Sequence, residues 1–170
     1  MLDRRLLTLA GIGAAIAGVA AMLTRSGSQQ AAAASDTFEV TKTDAEWRKL
    51  LTAEQHYVLR RHGTERAGSS PLDKQYGPGT YACAGCDLPL FSSDTKYDSG
   101  TGWPSFWKPL DGALGMSTDY ILLMPRTEVH CTRCGGHLGH RFEDGPPPTG
   151  LRYCINGVAL AFKPDAPKAA

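Results

Sequence analysis

Three textures of apolar and polar positions divide the chain. Residues 6–23 form an uncharged, Ala/Gly-rich apolar run of 18. Between about 43 and 63 the apolar residues fall at helical spacing: Trp47, Leu50 and Leu51 share one side of a first short helix. A second helix runs to about Arg61, with Gly63 placed to stop it. Thr43-Asp44-Ala45-Glu46 and Thr52-Ala53-Glu54-Gln55 each carry the Thr-x-x-Glu/Gln spacing of a capping box, in which two side chains satisfy the free N–H groups that open a helix. From Ser69 onward short apolar runs, as at 81–83, 120–124 and 158–162, are broken by Gly, Pro, Asp and Ser. That texture predicts a mainly β domain of antiparallel strands behind two short N-terminal helices.

The first texture belongs to targeting rather than to the fold. Arg4 and Arg5 precede the apolar run, and a Ser/Gln/Ala stretch ending in four alanines at 31–34 follows it. This is the layout of an export signal over residues 1–34, with cleavage expected near 34. The paired arginines and a core richer in Ala and Gly than in Leu favour the twin-arginine route. Eighteen apolar residues also just suffice for an uncleaved anchor, the one contact with a membrane that the sequence offers. Either way residues 35–170, read as a single domain, are expected in the periplasm. Setting aside Arg4, Arg5, Arg25 and Asp3 leaves 15 basic and 16 acidic side chains, so no cationic excess is available for nucleic acid. A domain of this length buries roughly two thirds of its unfolded surface, and an extra staple would matter.

The cysteines supply a candidate staple. Four of the five form two CxxC pairs, Cys83/Cys86 and Cys131/Cys134. Each turn offers two thiolates to one ion, and two turns complete four Zn–S bonds of roughly 2.3 Å, with zinc favoured over iron. Gly85 and Gly135-Gly136 are expected to supply the tight backbone. Competing readings are two disulfides, a redox-active CxxC, and a mixed site of Cys131, Cys134, His137 and His140. The mixed site strands the first pair, and no thioredoxin-like βαβ pattern surrounds either one.

Cys154 is left over. In 151–156 a strand would turn Arg152, Cys154 and Asn156 to one face and Tyr153 and Ile155 to the other. The apolar face packs; the other gathers a cation, a thiol and an amide. Arg152 is expected to favour the nucleophilic thiolate. Upstream, Gly136-His137-Leu138-Gly139-His140 sets two histidines in a Gly-rich loop or strand, where either could supply a proton near neutral pH. Each histidine alone is as well explained by structure as by catalysis.

The segments Tyr97-Asp98-Ser99-Gly100-Thr101-Gly102-Trp103-Pro104-Ser105-Phe106, His137-Leu138-Gly139-His140 and Arg152-Tyr153-Cys154-Ile155-Asn156-Gly157, interleaved with the CxxC pairs, resemble the type B methionine sulfoxide reductases. The likeness spans about 46–162. It implies two antiparallel sheets packed as a zinc-bearing β-sandwich, with the metal away from the active site. It also implies reduction of the R diastereomer of methionine sulfoxide, with Cys154 attacking sulfur while His137, His140 and Asn156 arrange proton delivery to oxygen. Trp103 and Phe142 would form an aromatic pocket for the substrate methyl group, beside Arg152; without the resemblance both rings read more simply as core. A thiolate and an acid must coexist, because the sulfoxide oxygen leaves readily only when protonated.

Two departures stand out. Arg141 and Glu143 occupy positions where many relatives carry an apolar residue and a Pro or Asp, and Thr101 stands where many carry a second, resolving cysteine. The sulfenic acid left on Cys154 then needs an external donor, a thioredoxin-like protein or another thiol. The expected partners are therefore oxidised methionine, free or in proteins, and that reductant, and the chain is expected to be a monomer. The competing reading is a non-catalytic zinc-bearing β binding module, which has no need of Cys154, His140 and Asn156 together.

Overall fold

A computed structural model describes residues 38–120 and 124–166. The segment read as an export signal, 1–34, and the middle of the apolar run at 120–124 lie outside them. Helices α1 (Asp44–Leu50) and α2 (Ala53–Arg61) both open on full capping boxes, with Glu46 N donating to Thr43 Oγ1 and Gln55 N to Thr52 Oγ1. The stop of α2 differs from the sequence expectation. His62, in the left-handed region at φ 53°, closes the helix. Gly63 instead packs under the Tyr57 ring, which a Cβ there would meet at 2.3 Å and push aside. Leu50 is also not core; it is 62% exposed while Trp47 and Leu51 are buried. Trp47 and Leu51 stand one turn apart, and Leu50 falls on the rim of their stripe.

Among the described residues nine strands follow: β1 (Gly79–Cys83), β2 (Pro89–Ser92), β3 (Lys96–Tyr97), β4 (Ser105–Phe106), β5 (Leu114–Asp119), β6 (Arg126–Cys131), β7 (His137–Phe142), β8 (Arg152–Ile155) and β9 (Leu160–Pro164). They make two antiparallel sheets, ordered β2-β1-β9 and β3-β4-β8-β7-β6-β5. The sheets pack through aromatic rings: Phe91 of the small sheet stacks on Phe106 of the large one at 4.1 Å between centroids, and Tyr81 meets Phe106 edge-on at 5.0 Å. Leu90, Val129, Leu138 and Ile155 complete a fully buried layer. The expected zinc-bearing sandwich with two leading helices is the architecture found.

One apolar run begins as a turn rather than a strand. A 3₁₀ turn at Gly157–Ala159 interrupts the run at 158–162, so β9 begins only at Leu160. Of the run at 120–124, the two described residues, Tyr120 just after β5 and Met124 before β6, are exposed. Among the described residues no helix is long and apolar enough to cross a membrane.

One irregularity positions the site. Along β6–β7, Glu128 pairs with His140 and Val129 with Gly139, but His130 pairs with His137, so Leu138 has no partner and forms a bulge. In a regular strand residues three apart face opposite ways; the extra residue turns His137 and His140 to the same side.

Candidate active site and metal centre

The four knuckle cysteines converge from the end of β1, the turn after it, and the β6–β7 turn. Their sulfurs all lie within 4.8 Å of one another, with Cys83 to Cys134 at 3.7 Å and Cys86 to Cys131 at 3.4 Å. A tetrahedral ion with Zn–S bonds of roughly 2.3 Å sets its sulfurs about 3.8 Å apart, so the thiols fit one zinc ion. Four thiolates close the coordination shell, and none of these cysteines lines the cavity beside Cys154. The zinc is structural. The tight backbone falls at the residue after each second cysteine, which takes the left-handed conformation: Gly135 in the second knuckle, as expected, but Asp87 rather than Gly85 in the first. Arg60 of α2 donates to the Cys134 carbonyl at 3.0 Å and lies over the Trp47 ring, tying the helices to the second knuckle.

Cys154 sits mid-strand in β8, directly opposite His140 on β7 and Ser105 on β4. Such cross-strand neighbours hold their Cβ atoms within about 5.5 Å. The approach of β7 depends on Gly139, where a Cβ would meet the Cys154 carbonyl oxygen at 2.1 Å. A cavity of about 120 Å³ opens at the thiol, lined by Trp103, Phe142, His140, Asn156, Thr64, Arg126 and Gly139. Burial pushes the Cys154 thiol above its ordinary value, and the pull of Thr101, Arg152 and Ser105 offsets this only in part. Arg152 therefore does not win the thiolate in the resting site. Nor does it line the cavity: its guanidinium is held by Asp144 through two contacts of 2.8 Å and lies 4.3 Å over the Phe142 ring. It braces the aromatic wall from behind.

The histidines are held by carboxylates. His140 Nε2 is 2.8 Å from Asp119 Oδ2, which also accepts from Arg126 at 2.6 Å. Burial lowers the His140 pKa, outweighing that carboxylate, and the imidazole rests neutral near pH 7. His137 stands 5.4 Å behind it, ring to ring, outside the cavity, with Nδ1 2.6 Å from Glu128 Oε1. Asn156 lines the cavity, yet both its polar atoms are spent on backbone: Nδ2 donates to the bulge carbonyl of Leu138 and Oδ1 accepts from Glu65 N, each at 2.9 Å. It fixes the bulge that aims the histidines.

Chemistry and frame thus coincide, and comparison with known proteins decides the family. The family model described as the SelR domain matches residues 51–164. This chain belongs to the SelR domain family. A peptide methionine sulfoxide reductase MsrB of Agrobacterium fabrum is 55% identical over 127 residues, covering 74% of this chain and 94% of the relative. The same name is carried by a Leptospira interrogans protein, 54% identical over 75% of this chain and 98% of its own length. A chloroplastic peptide methionine sulfoxide reductase B1 of Oryza sativa is 51% identical over 74% of this chain and 59% of the relative.

Within this SelR domain the structure gathers Cys154, His140, Asn156, Trp103 and Phe142 at one cavity, and sets His137 and Arg152 behind its walls. Sequence reading missed the residues that hold them. Glu65 is the most connected: its carboxylate accepts from Gly157 N at 2.6 Å and Val158 N at 2.9 Å, and its carbonyl accepts from Trp103 Nε1 at 3.2 Å. Asp119, Arg126 and Glu128 were equally hidden. Alternation of Arg126 and Glu128 along a strand was a usable signal, but a charged alternation ordinarily marks a solvated face.

Proposed function

We propose that this protein is a peptide-methionine (R)-S-oxide reductase that uses Cys154 as nucleophile. The observation that carries the assignment is the direct cross-strand pairing of Cys154 with His140 at the wall of a small cavity faced by Trp103 and Phe142. The two rings suit the methyl and sulfur of the substrate, since sulfur packs favourably at ring edges. The resting pair, a thiol and a neutral imidazole, holds the proton the reaction needs. As the sulfur of Cys154 bonds to the sulfinyl sulfur, its proton passes through His140 to the sulfoxide oxygen. That S–S bond then breaks with its electron pair returning to the substrate sulfur as the protonated oxygen passes to the Cys154 sulfur, leaving a thioether and a sulfenic acid. Two equivalents of an external thiol return Cys154 to the thiol, releasing water and a disulfide; a thioredoxin-like donor supplies them. His137, Asn156 and Arg152 are positioning residues, acting through His140, the bulge and Phe142.

The test is turnover of each diastereomer of methionine sulfoxide with a thiol reductant. Turnover of the R form alone, abolished in Cys154→Ser, is expected; equal turnover of both, or activity surviving in the variant, refutes the assignment. A purely binding module would leave neither diastereomer reduced.

Export through the twin-arginine route belongs to the same reading. Arg4-Arg5 ahead of the apolar run supports it, as does the advantage of loading zinc before four thiols meet an oxidising space. Cell fractionation of an Arg4→Lys, Arg5→Lys double variant decides: unchanged export rules that route out.

A further inference from the structure

Beside the catalytic cavity lies a larger depression of about 600 Å³, open to solvent and sharing Thr64, Arg126 and His140 with it. Three ligand-bearing side chains meet there from separate elements: His62 from the cap of α2, Glu128 from β6 and His137 from the start of β7. His62 Nδ1 and His137 Nδ1 approach the same Glu128 oxygen, Oε1, at 2.9 and 2.6 Å. The three ligand atoms fall within 4.8 Å of one another. We propose that His62, Glu128 and His137 form a second, exchangeable site for a divalent ion of the zinc class, whose occupation inhibits the enzyme. The binding claim stands apart from the reductase assignment; its inhibitory consequence rests on it.

The donor set argues for the ion. Two imidazoles and a carboxylate with an open fourth position suit zinc better than magnesium or calcium, which take oxygen shells. Bonds of roughly 2.0–2.1 Å to a tetrahedral ion set its ligand atoms about 3.3 Å apart, so movements of under an ångström would seat it. The carboxylate is already oriented, because Ser117 donates to its other oxygen at 2.5 Å. His62 is fixed by its cap conformation, yet its side chain is 53% exposed, which gives the ion an entry path to the buried Glu128 and His137. Glu128 and Asp119 make the depression favourable to a dication, with Arg126 the opposing charge. Once bound, the ion holds His137 and stands with its water at the wall shared with the catalytic cavity.

The experiment uses zinc-loaded full-length Cys154→Ser, which removes the free thiol as a rival ligand, titrated with Zn²⁺. Binding of a second ion per chain is expected, with the imidazole proton resonances of His62 and His137 shifting together. His62→Asn, which tolerates the left-handed cap, should weaken the second ion by about tenfold or more while the structural zinc stays. With Cys154 present, added zinc should suppress turnover, and His62→Asn should need about tenfold more of it. Saturation at one ion per chain, or a second ion indifferent to His62→Asn, overturns the site. If that variant does not fold, the resonances of the Cys154→Ser protein decide alone: no joint shift means no site. A second ion bound with turnover unchanged keeps the site and overturns the inhibition. Lack of turnover before any zinc is added counts against the reductase assignment and leaves the binding result standing.

Discussion

Cys154 is pulled in opposite directions by its surroundings. Burial raises its pKa, while Thr101, Arg152 and Ser105 lower it, and burial prevails. Thr101 Oγ1 lies 3.9 Å from the sulfur and is joined to Ser99 and through it to Ser105. Because the other four cysteines are gathered around the metal position, no thiol stands ready to resolve the sulfenic acid. One equivalent of methionine sulfoxide without reductant should therefore leave a single trappable sulfenic acid on Cys154 with zinc retained. Thr101→Cys should instead lose two hydrogens in intact mass, since its sulfur would start close enough for a shift of about 2 Å to reach the S–S bond length. A trapped sulfenic acid in that variant, with no disulfide, would show that the 99–103 loop does not hold residue 101 against the thiol. Arg152 illustrates the other side of residue-scale reading: its charge was legible, but its partner Asp144 and its seat over Phe142 depend on a loop eight residues upstream meeting the strand.

At the scale of elements, β6 and β7 do the positioning. Their bulge at Leu138, held by Asn156, turns two histidines to one side, and the carboxylates of β5 and β6 hold the imidazoles. Glu128 carries most of the network. Burial would raise its pKa, but hydrogen bonds from His137, His62 and Ser117 outweigh burial and hold the carboxyl far below the usual range. A carboxyl depressed in the folded state contributes stability above its unfolded pKa, and loses it as pH falls toward the folded value. Glu128→Gln should thus lower stability by about 2–3 kcal/mol at pH 7. The gap from the unsubstituted protein should narrow as pH drops below about 4.5, the range in which an unfolded glutamate titrates. Denaturant melts stepped from pH 7 down to pH 4, with zinc retention checked at each step, measure both; a gap that stays constant would mean that the charge contributes nothing. The same strands explain a failure of pattern reading. Arg126-Thr127-Glu128 looks like a solvated edge, yet Arg126 pairs with Asp119 of β5, and Glu128 is held by Ser117 of β5, His137 of β7 and His62 at the cap of α2, none of them a sequence neighbour.

For the whole molecule, the zinc joins the small sheet to the large one, with Cys83 and Cys86 from one and Cys131 and Cys134 from the other, under α2. Structural zinc contributes folding energy of order 10 kcal/mol in small domains, comparable to the roughly 5–15 kcal/mol that keeps a domain folded. Cys86→Ser should abolish the cooperative melt and the bound metal together, losing activity as a consequence of unfolding. A normal melt with one zinc retained would show that the fourth thiolate is dispensable.

Features that rest on short-range chemistry were legible before folding. Both capping boxes, the paired CxxC knuckles, the alternation of β8 and the odd cysteine within it are set by residues a few positions apart, and each appears in the structure in its expected place. Tertiary structure alone decided which of these groups face one another. His140 meets Cys154 because β7 and β8 pair in one register, permitted by Gly139, and His137 was drawn behind the cavity by Glu128. Glu65 reaches across 92 positions to cap the 3₁₀ turn. The balance on Cys154 is likewise a property of packing: desolvation depends on everything that surrounds the sulfur, whereas a neighbouring arginine in the sequence reports only one of the forces acting on it.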